Sequence, residues 1–162
     1  MTELKIKIIS ILSDDSRLST KTVAAMCGVS QEEAEACIRE LEEEGVILKY
    51  SLIVDTNKTE KGVEAMIEVK VTPERTKGFD AIAEEIYNFD EVKSVFLMSG
   101  GFDLAVFIEG KTLKEVAMFV SEKLSTMNCV VSTATHFILK RYKSNGVIFE
   151  GDVSENRLAV HA

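Results

Sequence analysis

The run Ser99-Gly100-Gly101-Phe102-Asp103 brings together groups suited to capturing a small zwitterion. Backbone amides left unshielded by glycine can meet a carboxylate, and the Asp103 carboxylate can meet an ammonium through a charge-assisted hydrogen bond. Thr133 and Thr135, alternate residues in a later β-branched run, could line the same pocket through their hydroxyls. The glycine pair also suits a plain hairpin turn between two strands, and both readings stand at this point. Catalysis has less to work with. His136 has no legible nucleophile or paired carboxylate around it and reads as a sheet or interface residue, while His161 falls in the tail. Cys27, Cys37 and Cys129 show no CxxC pairing and sit among apolar residues, so they read as buried reduced thiols, with no metal site and no cofactor. The chain is not expected to be an enzyme.

These groups must be positioned by regular elements, and the best-defined one begins at Ser30. Ser30 with Glu33 three residues on forms a capping box; Ala34, Ile38 and Leu41 fall on one helical face, and Gly45 supplies a left-handed stop. Upstream, Ser19 caps a shorter run carrying Val23, Ala24 and Cys27, and Gly28 breaks it two residues before Ser30. Two helices joined so tightly make a helix-turn-helix. Leu4, Ile8, Ile11 and Leu12 predict a first amphipathic helix ending near Asp14. Residues 47–55 are β-branched and aromatic, and read as a strand that serves as wing or hinge. Residues 57–62 are polar, end on Gly62 and read as a linker, so the first domain and its connecting strand occupy residues 1–57.

From Val63 the periodicity alternates between two and 3.6. Ala65, Ile67, Val69 and Val71 predict a strand closed by Pro73, and Phe79, Ile82, Ala83 and Ile86 a helix. Strands are expected over 92–98 and 104–109, then a helix burying Leu113, Val116, Ala117, Val120 and Leu124, then a strand over 130–142. This βαββαβ order is the split βαβ arrangement of ferredoxin-like folds, occupying residues 63–143 and making the fold class α+β. Both helices cover one sheet face. The other face, expected to carry Phe96, Met98, His136 and Ile138, would leave an apolar patch that invites a second copy of the chain. Residues 144–162 read as a flexible tail.

The chain has 162 residues, 46% of them hydrophobic, enough for a core in one or two small domains. No apolar run reaches membrane-spanning length, and the N-terminus alternates Lys with Ile where a signal peptide would be uniformly apolar, so a cytoplasmic protein is expected. The net charge of -8 is the opposite of the basic balance usual for a nucleic-acid binder.

Taken together, residues 14–19, Val23-Ala24, Gly28-Val29-Ser30, residues 39–47 and the turn at Gly100 to Asp103 resemble the leucine-responsive regulator/asparagine regulator (Lrp/AsnC) family of transcription factors over nearly the whole chain. The resemblance implies a winged helix-turn-helix joined by a strand to a ligand-sensing βαββαβ domain that assembles into dimers and often octamers, with amino acids as the usual ligands. Double-stranded DNA, an amino-acid effector and further copies of the chain are then the expected partners, with no membrane partner. Carried onto this sequence, the DNA-contacting set is Lys21, Ser30, Gln31, Glu32, Glu35, Arg39 and Lys49, and the effector set is Ser99, Gly100, Gly101, Phe102, Asp103, Thr133 and Thr135. Phosphate contacts would come from Lys5, Lys7, Arg17, Lys21, Arg39 and Lys49, and Glu32 or Glu35 could accept from cytosine N4. The sequence departs from the family where DNA would lie: Ala36, Cys37 and Glu40 leave Arg39 as the one cation of the third helix, and Glu32, Glu33 and Glu35 crowd its first turn. Acids there also stabilise the helix dipole. A second function therefore stays open, an interaction module with a degenerate helix-turn-helix that modulates partner regulators through mixed oligomers. Tetrapyrrole-processing decarboxylases look like the same two-domain architecture and supply the enzymatic alternative.

Overall fold

The computed structural model describes residues 1–55, 58–59, 62–72 and 78–149, which fall into two compact units, Met1–Ile53 and Val54–Ala162. Pro73 and residues 150–162 lie outside the described residues. No helix among those described is long and apolar enough to cross a membrane.

The first unit is three helices: α1 (Glu3–Asp14), α2 (Thr20–Cys27) and α3 (Gln31–Glu43). Their ends follow local chemistry. Ser19 Oγ accepts the Thr22 N–H at 3.2 Å, and Gly28 ends α2 in the left-handed region at φ 75°. At α3 both halves of the capping box form: the Glu33 N–H donates to Ser30 Oγ at 3.2 Å, and the Ser30 N–H donates to Glu33 Oε2 at 3.0 Å. Ile8, Val23, Cys37 and Leu41 make the core, with Leu4, Ile11, Leu12, Leu18, Cys27 and Ile38 around it. Cys37 is thus a buried free thiol, as expected from its apolar surroundings. Residues 48–55 form no strand, contrary to expectation, because nothing in the described chain pairs with them. Leu48 and Leu52 are left 88% and 79% exposed.

The second unit is a four-stranded antiparallel sheet in the order β2-β3-β1-β4, from β1 (Val63–Val71), β2 (Val92–Leu97), β3 (Leu104–Gly110) and β4 (Val130–Phe137). Ala65, Ile67 and Val69 of β1 and Leu104, Val106 and Ile108 of β3 turn to one face, where Ile82 and Ile86 of α4 (Phe79–Tyr87) and Val116 of α5 (Leu113–Met118) cover them. Each fully buried Ile or Leu contributes about 1.5–3 kcal/mol. α5 runs on into a π-helical turn, Phe119–Leu124, with Leu124 in the core and Val120 packed against it. Phe119, three residues beyond buried Val116, is in the core, whereas Ala117 and Leu113 are exposed, which corrects the expected stripe.

The last strand stops at Phe137 instead of running to Tyr142, and part of the presumed tail is ordered. Residues Lys143–Ser144 (β5) and Val147–Ile148 (β6) pair as a ribbon around Asn145 and Gly146, whose φ values of 46° and 84° are those of a primed hairpin turn. Arg141 fastens this end to β1 through an ion pair with Glu64 and stacks 5.5 Å from the ring of buried Phe149.

Candidate functional site

Two separate surfaces follow, one on each unit. In the first, the burial of Ala34, Cys37 and Leu41 turns Glu32, Glu35, Ala36, Arg39 and Glu43 of α3 outward, since these positions lie opposite on a 100° wheel. Lys21, Ser30, Gln31, Glu32, Glu35, Arg39 and Lys49 are all exposed, and Gln31 to Arg39 share one helix with Ser30 as its cap. The Ser30 hydroxyl is already occupied by the cap. Gln31 Nε2 donates to Glu35 Oε1 at 2.8 Å, leaving Glu35 Oε2 and Gln31 Oε1 as an outward acceptor pair.

Four carboxylates of α3 and its C-cap make contacts within the unit, and the contact with Lys5 offsets part of their charge. Glu33 closes the capping box, Glu42 Oε1 accepts the Tyr50 hydroxyl at 2.8 Å, and Glu40 and Glu44 flank the Lys5 ammonium at 3.2 and 2.9 Å. Hydrogen bonding to Glu44 leads in raising the Lys5 pKa above its ordinary 10.5, against the opposing cost of burial. Lys5, which the sequence offered for phosphate contact, is packed in the seam between α1 and α3 with its ammonium paired. The missed signal was its place on the apolar stripe with Leu4 and Ile8, since a lysine there needs a carboxylate partner.

In the second unit, residues 98–103 link β2 to β3 as a six-residue loop. Neither Gly100 nor Gly101 has a left-handed φ, and a Cβ on either would meet no atom within 4 Å. Open approach, more than backbone conformation, is what glycine supplies there. The loop is stitched to β1: the Asp103 N–H donates to Val69 O at 3.1 Å, and Asp103 Oδ2 accepts the Val71 N–H at 2.9 Å. Thr133 pairs with Val69 from the other side and Thr135 with Ile67, so both threonines lie half-buried on the helix-covered face. The structure thus brings Asp103 and Thr133 to the same end of the sheet, with Val69 between them and Thr135 one pleat further on. Two of the better-formed cavities lie elsewhere: about 290 Å³ beside Glu91, Ile108, Phe119 and Lys123, and about 570 Å³ beside Phe96, Phe107 and Arg141.

The uncovered sheet face carries Phe96 and Phe107 edge-on with centroids 5.9 Å apart, together with Met66 and His136. His136 Nε2 lies 3.2 Å from Glu68 Oε1. Met98 and Ile138 lie just past the ends of β2 and β4 and are 43% and 39% exposed. No group of His, Cys, Asp or Glu among the described residues is arranged to hold a metal.

Comparison with known proteins matches residues 1–47 to a model described as winged helix-turn-helix DNA-binding, and residues 64–148 to one described as the Lrp/AsnC ligand binding domain. The uncharacterized HTH-type transcriptional regulator YugG of Bacillus subtilis is 49% identical over 162 residues, covering 99% of this chain and 98% of that protein. The proline dehydrogenase transcriptional activator of Rhizobium radiobacter is 24% identical over 142 residues, 88% of this chain and 91% of that one. Among solved structures, the transcriptional regulator NMB0573 of Neisseria meningitidis, in complex with L-Met, superposes with a TM-score of 0.74 at 21% identity over 89% of this chain and 93% of that one. Escherichia coli AsnC does so with a TM-score of 0.71 at 17% identity, over 89% and 95%. The likeness to the solved structures is one of fold.

Proposed function

The chain belongs to the Lrp/AsnC family of transcriptional regulators, and from that premise we propose that it is a cytoplasmic regulator whose DNA binding through α3 responds to an amino acid held at the turn Ser99 to Asp103. The chain is a transcriptional regulator with a DNA-binding helix-turn-helix and a ligand-binding domain, and its relatives are regulators, not enzymes.

The observation that carries the DNA surface is the outward face of α3, where Arg39 stands with the Gln31–Glu35 acceptor pair while Glu33, Glu40, Glu42 and Glu44 are engaged elsewhere. An acceptor pair suits the amino groups of cytosine or adenine in the major groove. That an effector is an amino acid is supported by the L-Met complex of the Neisseria regulator and by the turn itself. Its glycine positions are open, and with Oδ2 held by Val71, Asp103 keeps Oδ1 for an ammonium. The turn is exposed, so the remaining wall of the pocket would come from a second subunit. Exposed Phe96 on the uncovered face and the apolar residues of 48–54 support assembly into at least a dimer. Selection of bound duplexes from random DNA, with and without pooled amino acids, tests the whole: a defined site whose recovery changes with one amino acid is expected, and no enriched site sinks the DNA surface.

A further inference from the structure

We propose that Lys5 positions the DNA-contacting helix, clasping the last turns of α3 from α1 without itself touching nucleic acid; this rests on the reading of α3 as the helix that enters the groove. The Lys5 side chain is 11% exposed, and its Nζ donates to Glu44 Oε1 and Oε2 at 3.0 and 2.9 Å and lies 3.2 Å from Glu40 Oε1. Glu40 and Glu44 are one turn apart, so a single ammonium grips two successive turns of α3.

The clasp joins two other holds on the C-terminal part of α3, the buried Leu41 side chain and the hydrogen bond from the Tyr50 hydroxyl to Glu42. The N-terminal end is fixed by the capping box and by Ala34, and the middle by Cys37 in the core. Packing alone could be met by an apolar side chain of the same length at position 5. A buried cation additionally demands its two carboxylates within hydrogen-bonding distance, and so selects one tilt of α3 against α1. Arg39 precedes Glu40 directly and faces solvent, so a change of tilt moves its guanidinium relative to any bound duplex.

The clasp makes a prediction opposite in sign to simple electrostatics. Replacing two carboxylates by amides removes negative charge and should strengthen binding to a polyanion; if the carboxylates hold the helix in place, the same change weakens it. The test uses full-length protein and a duplex selected by the wild type from a random pool. Lys5→Met should keep the melting transition and lose affinity several-fold. Glu40→Gln with Glu44→Gln should also lose affinity, yet the same pair introduced into Lys5→Met should leave binding unchanged or strengthen it. An equal strengthening by the pair in both backgrounds makes Lys5 one more charge and overturns the clasp, as does unchanged affinity in Lys5→Met. Arg39→Ala is the separate control: if it binds like the wild type, the reading of α3 fails; if it weakens while Lys5→Met does not, only the clasp fails.

Discussion

Asp103 and Val71, 32 positions apart, are joined by a hydrogen bond in which Asp103 Oδ2 accepts the Val71 N–H at 2.9 Å. It sits where β1 shifts its register against β4, between Lys70 and Val71, and it supplies a partner for an amide at the irregular end of the strand. The carboxylate that could bind an effector is therefore also a structural group, and the two roles must be separated by experiment.

Asp103→Ala should lower stability by about 1–3 kcal/mol, the cost of leaving a part-buried amide without its charged acceptor. Asp103→Asn should stay close to the wild type, since its amide oxygen can still accept from Val71. Neither variant should show a rise in melting temperature with the amino acid that stabilises the wild type, a shift of about 2.7 kcal/mol at a hundred times the dissociation constant. A full shift in Asp103→Asn would remove Asp103 from the effector site.

Assembly should depend on the uncovered sheet face. Phe96 is 53% exposed in the single chain, so Phe96→Glu should leave the fold intact while placing a charge in the interface. Sedimentation of full-length protein should show a smaller species than the wild type at the same concentration. Unchanged sedimentation would move the interface elsewhere.

Arg39→Ala should weaken DNA binding and reduce the slope of log K against log salt by about 0.9, the loss of one phosphate contact. Glu35→Gln should change preference at one base pair more than it changes overall affinity, because Glu35 is held by Gln31 within the acceptor pair. Affinities across single-base variants of a selected site, at several salt concentrations, distinguish the two effects.

Acid stability should report the Glu91–Lys123 pair. The hydrogen bond from Lys123 holds the Glu91 pKa below its ordinary 4.5, against a smaller opposing effect of burial. A carboxylate lowered in the folded state adds stability above its unfolded pKa, and that contribution is lost as pH falls through the folded value. Glu91→Gln should therefore melt lower than the wild type near neutral pH and show a shallower loss of melting temperature below about pH 4.5. Parallel acid limbs in thermal melts would contradict the pairing.

What the sequence by itself determined lies within a turn or two of chain. The Ser19 and Ser30 caps, the stops at Gly28 and Gly45, and the alternation of Ala65, Ile67 and Val69 are legible because their causes lie within four residues or repeat at a fixed period. That was enough for the helix-turn-helix, the βαββαβ order and the family resemblance. Tertiary structure decided what depends on partners far along the chain. The burial of Cys37 is expected from its apolar surroundings, but that it meets Ile8 and Val23 follows only from how α1 and α2 pack on α3. Phe119 is in the core while Leu113 and Ala117 are outside it, because which of the overlapping apolar stripes of that helix is buried depends on how the helix lies on the sheet. Residues 48–55 have strong strand propensity and no strand, because propensity does not supply the neighbouring backbone that a strand must bond. Lys5 and Asp103 looked free in the sequence, and in the folded chain their charges are held by Glu40 and Glu44 and by the Val71 amide, since a group drawn into a packed seam must be matched there.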